Sequence, residues 1–256
     1  MIADYFRHLI RAGNRHSLHS PFLYEFYESV IRSKTLPFDA SDIDILFRLL
    51  KNDKRMIKVT DMGAGSKFGN KSEKQISSIA RTAVKSGKWV GILARIIARF
   101  DYRYVVELGT SLGFTTSYLS KATPYGKVYT FEGCPETLKI AKENFEKLEC
   151  RNIVPMLGNI DGTLHNTLEQ LERLDFVFFD ANHQYEATMR YFRACMEKGH
   201  EESCFVFDDI YWSEGMKKAW QEIKAHPKVT LSLDFFQIGI IFFRTNQPKQ
   251  EFVLRA

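Results

Sequence analysis

Glu107, Gly109, Gly113 and Glu132 share one stretch, Val105-Val-Glu-Leu-Gly-Thr-Ser-Leu-Gly-Phe-Thr-Thr-Ser-Tyr-Leu119 followed by Val128-Tyr-Thr-Phe-Glu132. Their spacing describes a strand, a Gly-x-x-x-Gly turn, a helix and a second strand tipped by an acid, the pattern of a βαβ nucleoside site. The two glycines, with Thr110 and Ser111 between them, let the turn pass close to a ligand with no Cβ in the way. A dinucleotide fingerprint holds its pyrophosphate with three glycines and a helix N-terminus, whereas this turn has two and carries Glu107 at its strand tip. A carboxylate there suits a cationic ligand better than a phosphate. Glu132 can accept two hydrogen bonds from ribose hydroxyls. Adenosine joined to a cationic tail points to S-adenosylmethionine.

A second concentration of chemistry lies in Phe179-Asp180-Ala-Asn182-His183-Gln-Tyr185 and Phe207-Asp208-Asp209-Ile-Tyr-Trp212. Ligands of open α/β sheets collect at the carboxyl ends of strands, so Asp180, Asp208 and Asp209 are expected to meet there. Against this stands the pleat: Asp208 and Asp209 are neighbours whose side chains start on opposite faces, and one of them could cap the next helix. Oxygen-only ligands suit Mg²⁺ or Ca²⁺. His183 can take a proton near neutral pH, or it can be a helix-start histidine bonded to backbone. His16 and His19 read as residues that cap or solvate the first helix, with a pocket lining as the alternative.

In four motifs taken in order the chain resembles the class I S-adenosylmethionine-dependent methyltransferases, and the small-molecule O-methyltransferases of the catechol and caffeoyl-CoA type among them. Glu107-Leu-Gly109 is similar to the family's first motif, Phe131-Glu132-Gly133 to its ribose-binding acid, Gly158-Asn159-Ile160-Asp161 to its adenine-side loop, and Leu174-Asp-Phe-Val-Phe-Phe-Asp180 to its fourth strand. The resemblance covers roughly residues 86–244. It implies an acid, Asp180, beside the transferred methyl group and a divalent ion, Mg²⁺ by preference, held by Asp180 and Asp208. Asp209 replaces the amide that those relatives use as a ligand. His183 stands where they carry a lysine that deprotonates the acceptor hydroxyl, which makes His183 and Asp180 the expected catalytic pair.

The elements that must position these residues alternate as a doubly wound sheet requires. Strands are expected at 104–108, 128–132, 152–157, 175–180, 204–208, 229–235 and 238–243, with helices at 135–148, 185–198 and 213–225. The last two strands are joined too briefly for a crossover helix, so they should pair as an antiparallel hairpin. The predicted fold is therefore an α/β, Rossmann-like methyltransferase sheet of seven strands with an N-terminal helical extension. Residues 1–85 form that extension and a connecting loop, expected to cover the substrate, and residues 86–256 the cofactor-binding domain. In the extension, Ser20-Pro21 signals a helix start, Asp42 to Lys51 is a second helix, and Gly87 to Phe100 leads into the first strand. Between them Asp61-Met-Gly63-Ala-Gly65-Ser66 imitates a cofactor loop but lacks the acid-tipped second strand, and reads as a flexible connection or a substrate lid.

Composition narrows the function classes. The 256 residues are 45% hydrophobic and 14% aromatic, as in a globular enzyme. The longest apolar stretch, Trp89 to Phe100, is broken by Arg95 and Arg99, and the first residues lack signal-peptide order, so the expected address is the cytoplasm, with no membrane partner. Four scattered cysteines show no Cys-x-x-Cys spacing, and so indicate reduced thiols. A net charge of +5 invites a nucleic-acid reading, but the basic residues are spread over helices and favour a solvated surface. Asp180-Ala-Asn-His183 contains no proline, against the base N-methylating pattern, and no Pro-Cys pair marks a cytosine-methylating nucleophile. The expectation is methyl transfer to a hydroxyl of a small molecule. An RNA-directed methyltransferase and a non-catalytic cofactor-binding protein stand as rivals, and a homodimer is left open.

Overall fold

The computed structural model describes residues 2–14, 18–60, 73–82, 87–245 and 247–255. His16 and the Asp61–Ser66 loop, with its lid reading, lie outside the described residues. In chain order the elements are α1 (Ile2–Arg11), α2 (Pro21–Phe26, continued by a π turn Tyr27–Ile31), α3 (Ser41–Leu50), β1 (Met56–Lys58), β2 (Glu73–Gln75), α4 (Ile76–Thr82), α5 (Gly87–Phe100) and β3 (Tyr104–Leu108). There follow α6 (Phe114–Ala122), β4 (Lys127–Glu132), α7 (Pro135–Lys147), β5 (Ile153–Leu157), α8 (Ile160–Glu169), β6 (Leu174–Phe179) and α9 (Tyr185–Met196). The chain ends with β7 (Gly199–Asp208), α10 (Glu214–Ala225), β8 (Leu231–Asp234), β9 (Ile238–Phe242) and β10 (Gln250–Val253). This is the doubly wound, Rossmann-like methyltransferase fold.

Two compact units divide these elements, residues Lys34–Thr167 in one and Met1–Ser33 with Leu168–Ala256 in the other. In the first, β3, β4 and β5 run parallel, with Glu107 directly opposite Thr130 and Phe131 opposite Met156. Strand β3 is buried nearly throughout, as a parallel strand covered on both faces must be. Helix α7 begins at Pro135, where the missing N–H costs nothing, and lays Leu138, Ala141 and Phe145 against Ile153. The small antiparallel pair β1–β2 stands apart from these strands.

In the second unit the strand order is β10-β8-β9-β7-β6. Strands β8 and β9 form the expected antiparallel hairpin, and β9 is also antiparallel to β7. Beyond the seven expected strands, β10 adds to the hairpin edge parallel to β8. The core is aromatic. Phe179 stacks on Phe207 at 4.2 Å between centroids and 13° between planes, and Phe26 of α2 meets Phe242 edge-on at 5.3 Å. Gly239 passes so close to Trp220 that an added Cβ would stand 2.6 Å from the indole. Each fully buried aromatic removes enough apolar surface to stabilise the unit by about 2–3 kcal/mol. Helix α2 starts as Ser20-Pro21 indicated, with the Ser20 hydroxyl accepting from the Leu23 amide at 3.5 Å.

Candidate functional site

The glycine turn between β3 and α6 is built by the first unit's own side chains. Gly109 adopts φ +106° and Gly113 φ +82°, both left-handed conformations that favour glycine. A Cβ at Gly113 would also fall 2.4 Å from the Phe145 ring. The Gly109 and Thr110 amides donate to the Phe131 carbonyl, at 3.1 and 3.0 Å, tying the turn to the end of β4. Asn144, buried on α7, donates its side-chain N–H to the Leu112 carbonyl at 2.9 Å.

Glu107 is completely buried. Its Oε2 accepts the Thr116 hydroxyl at 2.5 Å and the Thr130 hydroxyl at 2.7 Å. The Thr110 and Thr130 hydroxyls are 2.6 Å apart, and since the Thr130 proton goes to the carboxylate, Thr110 is the donor between them. Through Oε2 this carboxylate ties α6 to β4 beneath the turn. The sequence reading names neither partner: Thr130 stands opposite Glu107 only through the sheet register, and Thr116 reaches the same carboxylate from α6.

Glu132 holds the turn from the other side. Its Oε2 accepts the Ser111 amide at 2.9 Å and its Oε1 the Cys134 amide at 2.9 Å. Burial raises its pKa above the ordinary 4.5, while the amides of Cys134, Ser111 and Gly133 pull the other way. A carboxylate has about four lone-pair positions, so these three amides leave room for one further donor. The Gly158 amide donates to the Glu132 carbonyl at 3.0 Å, bringing the Gly158–Asp161 segment to the same strand end. Of that turn only Gly158 and Asn159 are loop; Ile160 and Asp161 open helix α8, and the Asn159 side chain accepts the Asp161 amide at 2.9 Å.

The second unit holds the acids. Asp180, His183 and Asp208 each present one ligand atom, and all three atoms lie within 4.8 Å of one another. His183 Nε2 is 3.8 Å from Asp180 Oδ1, with both side chains partly exposed, while Asp208 is buried. Asp209 is not in this cluster, which corrects the expected trio of carboxylates. Asp209 follows the last residue of β7, and a left-handed backbone at φ +52° carries the chain into its next turn. There the Asp209 amide donates to the Gln237 carbonyl at 2.8 Å, and its own carbonyl accepts the Trp212 amide at 2.9 Å. The donor set of two oxygens and one imidazole nitrogen fits a divalent cation, and the nitrogen widens the choice beyond Mg²⁺ toward Mn²⁺, Fe²⁺ or Zn²⁺.

Three non-glycine residues with positive φ follow these strand ends: Ser111 at +49° after β3, Asn182 at +54° after β6 and Asp209 at +52° after β7. Each such conformation costs on the order of 1 kcal/mol and persists where its surroundings hold it. His19 is exposed and belongs to neither group of site residues.

Among the described residues no helix is long and apolar enough to cross a membrane. Residues 106–210 match the model of a family described as a methyltransferase domain. No curated protein matches the chain. Solved structures with the same fold include an O-methyltransferase from Bacillus cereus in complex with SAH, 16% identical over 86% of this chain and 97% of that one, with a TM-score of 0.57. Others are the O-methyltransferase TomG from Streptomyces achromogenes in complex with SAM, 16% identical over 63% and 82%, TM-score 0.56, and the SAH-bound Podospora anserina methyltransferase PaMTH1, 15% identical over 83% and 99%, TM-score 0.55. The glycine turn, the acid-tipped second strand and the terminal hairpin thus belong to the fold that these structures share, and residues 106–210 are similar to a methyltransferase domain.

Proposed function

We propose that the protein transfers a methyl group from S-adenosylmethionine to a hydroxyl oxygen of a small molecule. The observation that carries this reading is the Glu132 carboxylate, held by the Ser111, Gly133 and Cys134 amides with an acceptor position to spare. In this reading Gly109, Thr110, Ser111 and Gly113 lie along the methionyl side of the cofactor. Glu132 and Gly133 hold the ribose, and Asn159, Ile160 and Asp161 flank the adenine. Glu107 acts through the turn it supports.

His183 is the general base. Its imidazole takes the proton from the acceptor hydroxyl as the oxygen attacks the methyl carbon in line, the carbon–sulfur bond breaks, and the sulfonium becomes a neutral thioether. Asp180, at 3.8 Å, stabilises the imidazolium that forms. Asp180 and Asp208 would hold a divalent cation, which when bound lowers the pKa of the acceptor hydroxyl and fixes its oxygen. Residues 1–85 serve as substrate cover, and the cytoplasm is the working compartment. Two fold relatives, O-methyltransferases in complex with SAM or SAH, favour the same donor and acceptor.

Titration calorimetry with S-adenosylhomocysteine tests the cofactor. One site is expected, and Glu132→Ala should weaken it by about 1.5–3 kcal/mol, the size of lost hydrogen bonds to a charged acceptor. Tight NAD binding with no response to S-adenosylhomocysteine overturns the reading.

A further inference from the structure

The segment before the Asp61–Ser66 loop is fastened to the turn that follows Glu132. The Lys58 amide donates to the Glu136 carboxylate at 2.6 Å. The Cys134 thiol donates to the Lys58 carbonyl at 3.3 Å and accepts the Thr60 amide at 3.4 Å. Further along α7, Glu143 meets the Arg55 guanidinium at 3.5 Å. Four attachments thus bind residues 55–60 to the first three turns of one helix and its cap. Cys134 is buried, with 1% of its surface exposed, and it is the same residue whose amide holds Glu132 Oε1.

We infer that residues 55–60 are a strap latched by Cys134 and Glu136, and that the latch presets the Glu132 carboxylate for the nucleoside. This rests on the reading of Glu132 as the ribose-binding acid. The physical reason is shared support. Cys134 places its amide on Glu132 only while its backbone is held, and its thiol, bridging a strap donor and a strap acceptor, is one of the groups holding it. Glu136 gives the strap a charged acceptor at the α7 N-terminus, where the helix dipole favours the carboxylate. Cys134 and Glu136 are positioning residues, since neither is placed against the cofactor here.

The test compares Glu136→Ala, Glu136→Gln and Cys134→Ala with wild type by calorimetry with S-adenosylhomocysteine, with thermal melting alongside. Glu136→Ala and Cys134→Ala should bind about 5- to 20-fold more weakly, whereas Glu136→Gln, which keeps an acceptor oxygen for the Lys58 amide, should stay within about twofold. Labelling of Cys134 by a thiol reagent, read by peptide mass spectrometry, should be slow in wild type, faster in Glu136→Ala, and slowed further in wild type by S-adenosylhomocysteine. A purely structural role lowers the melting point of all three variants without moving affinity or the ligand's effect on labelling, and that result overturns the latch. Failure of wild type to bind S-adenosylhomocysteine at all overturns the cofactor reading and the affinity claim together. Labelling of Glu136→Ala without ligand then still reports whether the strap is fastened.

Discussion

In the Glu107–Glu132 region both carboxylates are met by the chain's own amides and hydroxyls, whereas the Asp180–His183–Asp208 cluster gathers two acids and an imidazole within 4.8 Å. Two like charges at that distance repel by about 3 kcal/mol at an effective dielectric of about 20. The first region is organised before any ligand arrives. The second gains when a cation or a proton joins it, so its geometry is coupled to what it binds. Preorganisation suits a cofactor that must be held in one pose, and an electrostatic demand suits a centre that handles a proton and a developing oxyanion.

The sharpest way to break this comparison is Gly113→Val. The new side chain would meet Phe145 and force a β-branched residue to φ +82°, at a cost above about 3 kcal/mol. S-adenosylhomocysteine binding should disappear in calorimetry, and a variant that binds normally shows that the turn is not rigidly seated. Next in size, His183→Ala should lower methyl transfer by about 10²-fold while leaving cofactor affinity nearly unchanged. Undiminished turnover makes His183 a structural residue.

The cation is tested by melting with Mg²⁺ or Mn²⁺ against a chelator control. At about a hundredfold excess over Kd, binding stabilises the native state by about 2.7 kcal/mol, and the melting midpoint should rise accordingly. Asp180→Asn and Asp208→Asn should lose the rise. His183→Ala should keep most of it if His183 is the base, and lose it if His183 is instead a ligand. Asp209→Asn should melt as wild type does with metal, because Asp209 stands outside the cluster.

The smallest effect sharpens the contrast inside the second unit. Asp234 is a buried carboxylate satisfied as Glu132 is: Oδ2 accepts Trp220 Nε1 at 3.0 Å and the Tyr211 hydroxyl at 2.9 Å, and Oδ1 accepts the Phe236 amide at 3.0 Å and lies 3.2 Å from His8 Nε2. Burial alone would raise its pKa, but these partners outweigh it and hold the group below the ordinary 3.8. A depressed pKa contributes stability that is present above the unfolded value and lost as pH falls through the folded one. Asp234→Asn should therefore lower stability at pH 7 by about 1–2 kcal/mol and flatten the loss of stability below about pH 4, as read by urea unfolding across pH.

Local signals were enough for much of this fold. The strand at 104–108, the acid-tipped strand after it, the helix start at Ser20-Pro21 and the closing hairpin all follow from periodicity, caps and loop length, because each is decided within about ten residues. Edge elements were not legible in the same way. Strand β10 is short and half-buried, and it exists as a strand because β8 offers it an edge. Helix α8 is absent from the sequence reading, which places only a loop at Gly158–Asp161, whereas the helix runs from Ile160 to Glu169.

Residue types and strand order marked a nucleoside turn with Glu132 and a group of acids at the ends of β6 and β7, since side-chain chemistry and strand polarity are written in the chain itself. Tertiary structure decided the partners. The register of two parallel strands sets Thr130 opposite Glu107, packing of α7 brings Phe145 under Gly113, and the left-handed turn after β7 begins at Asp209, while His183 is the third member of the cluster. These outcomes depend on distances between residues far apart in sequence and on the face each side chain takes, and a one-residue change in register or backbone hand reverses them.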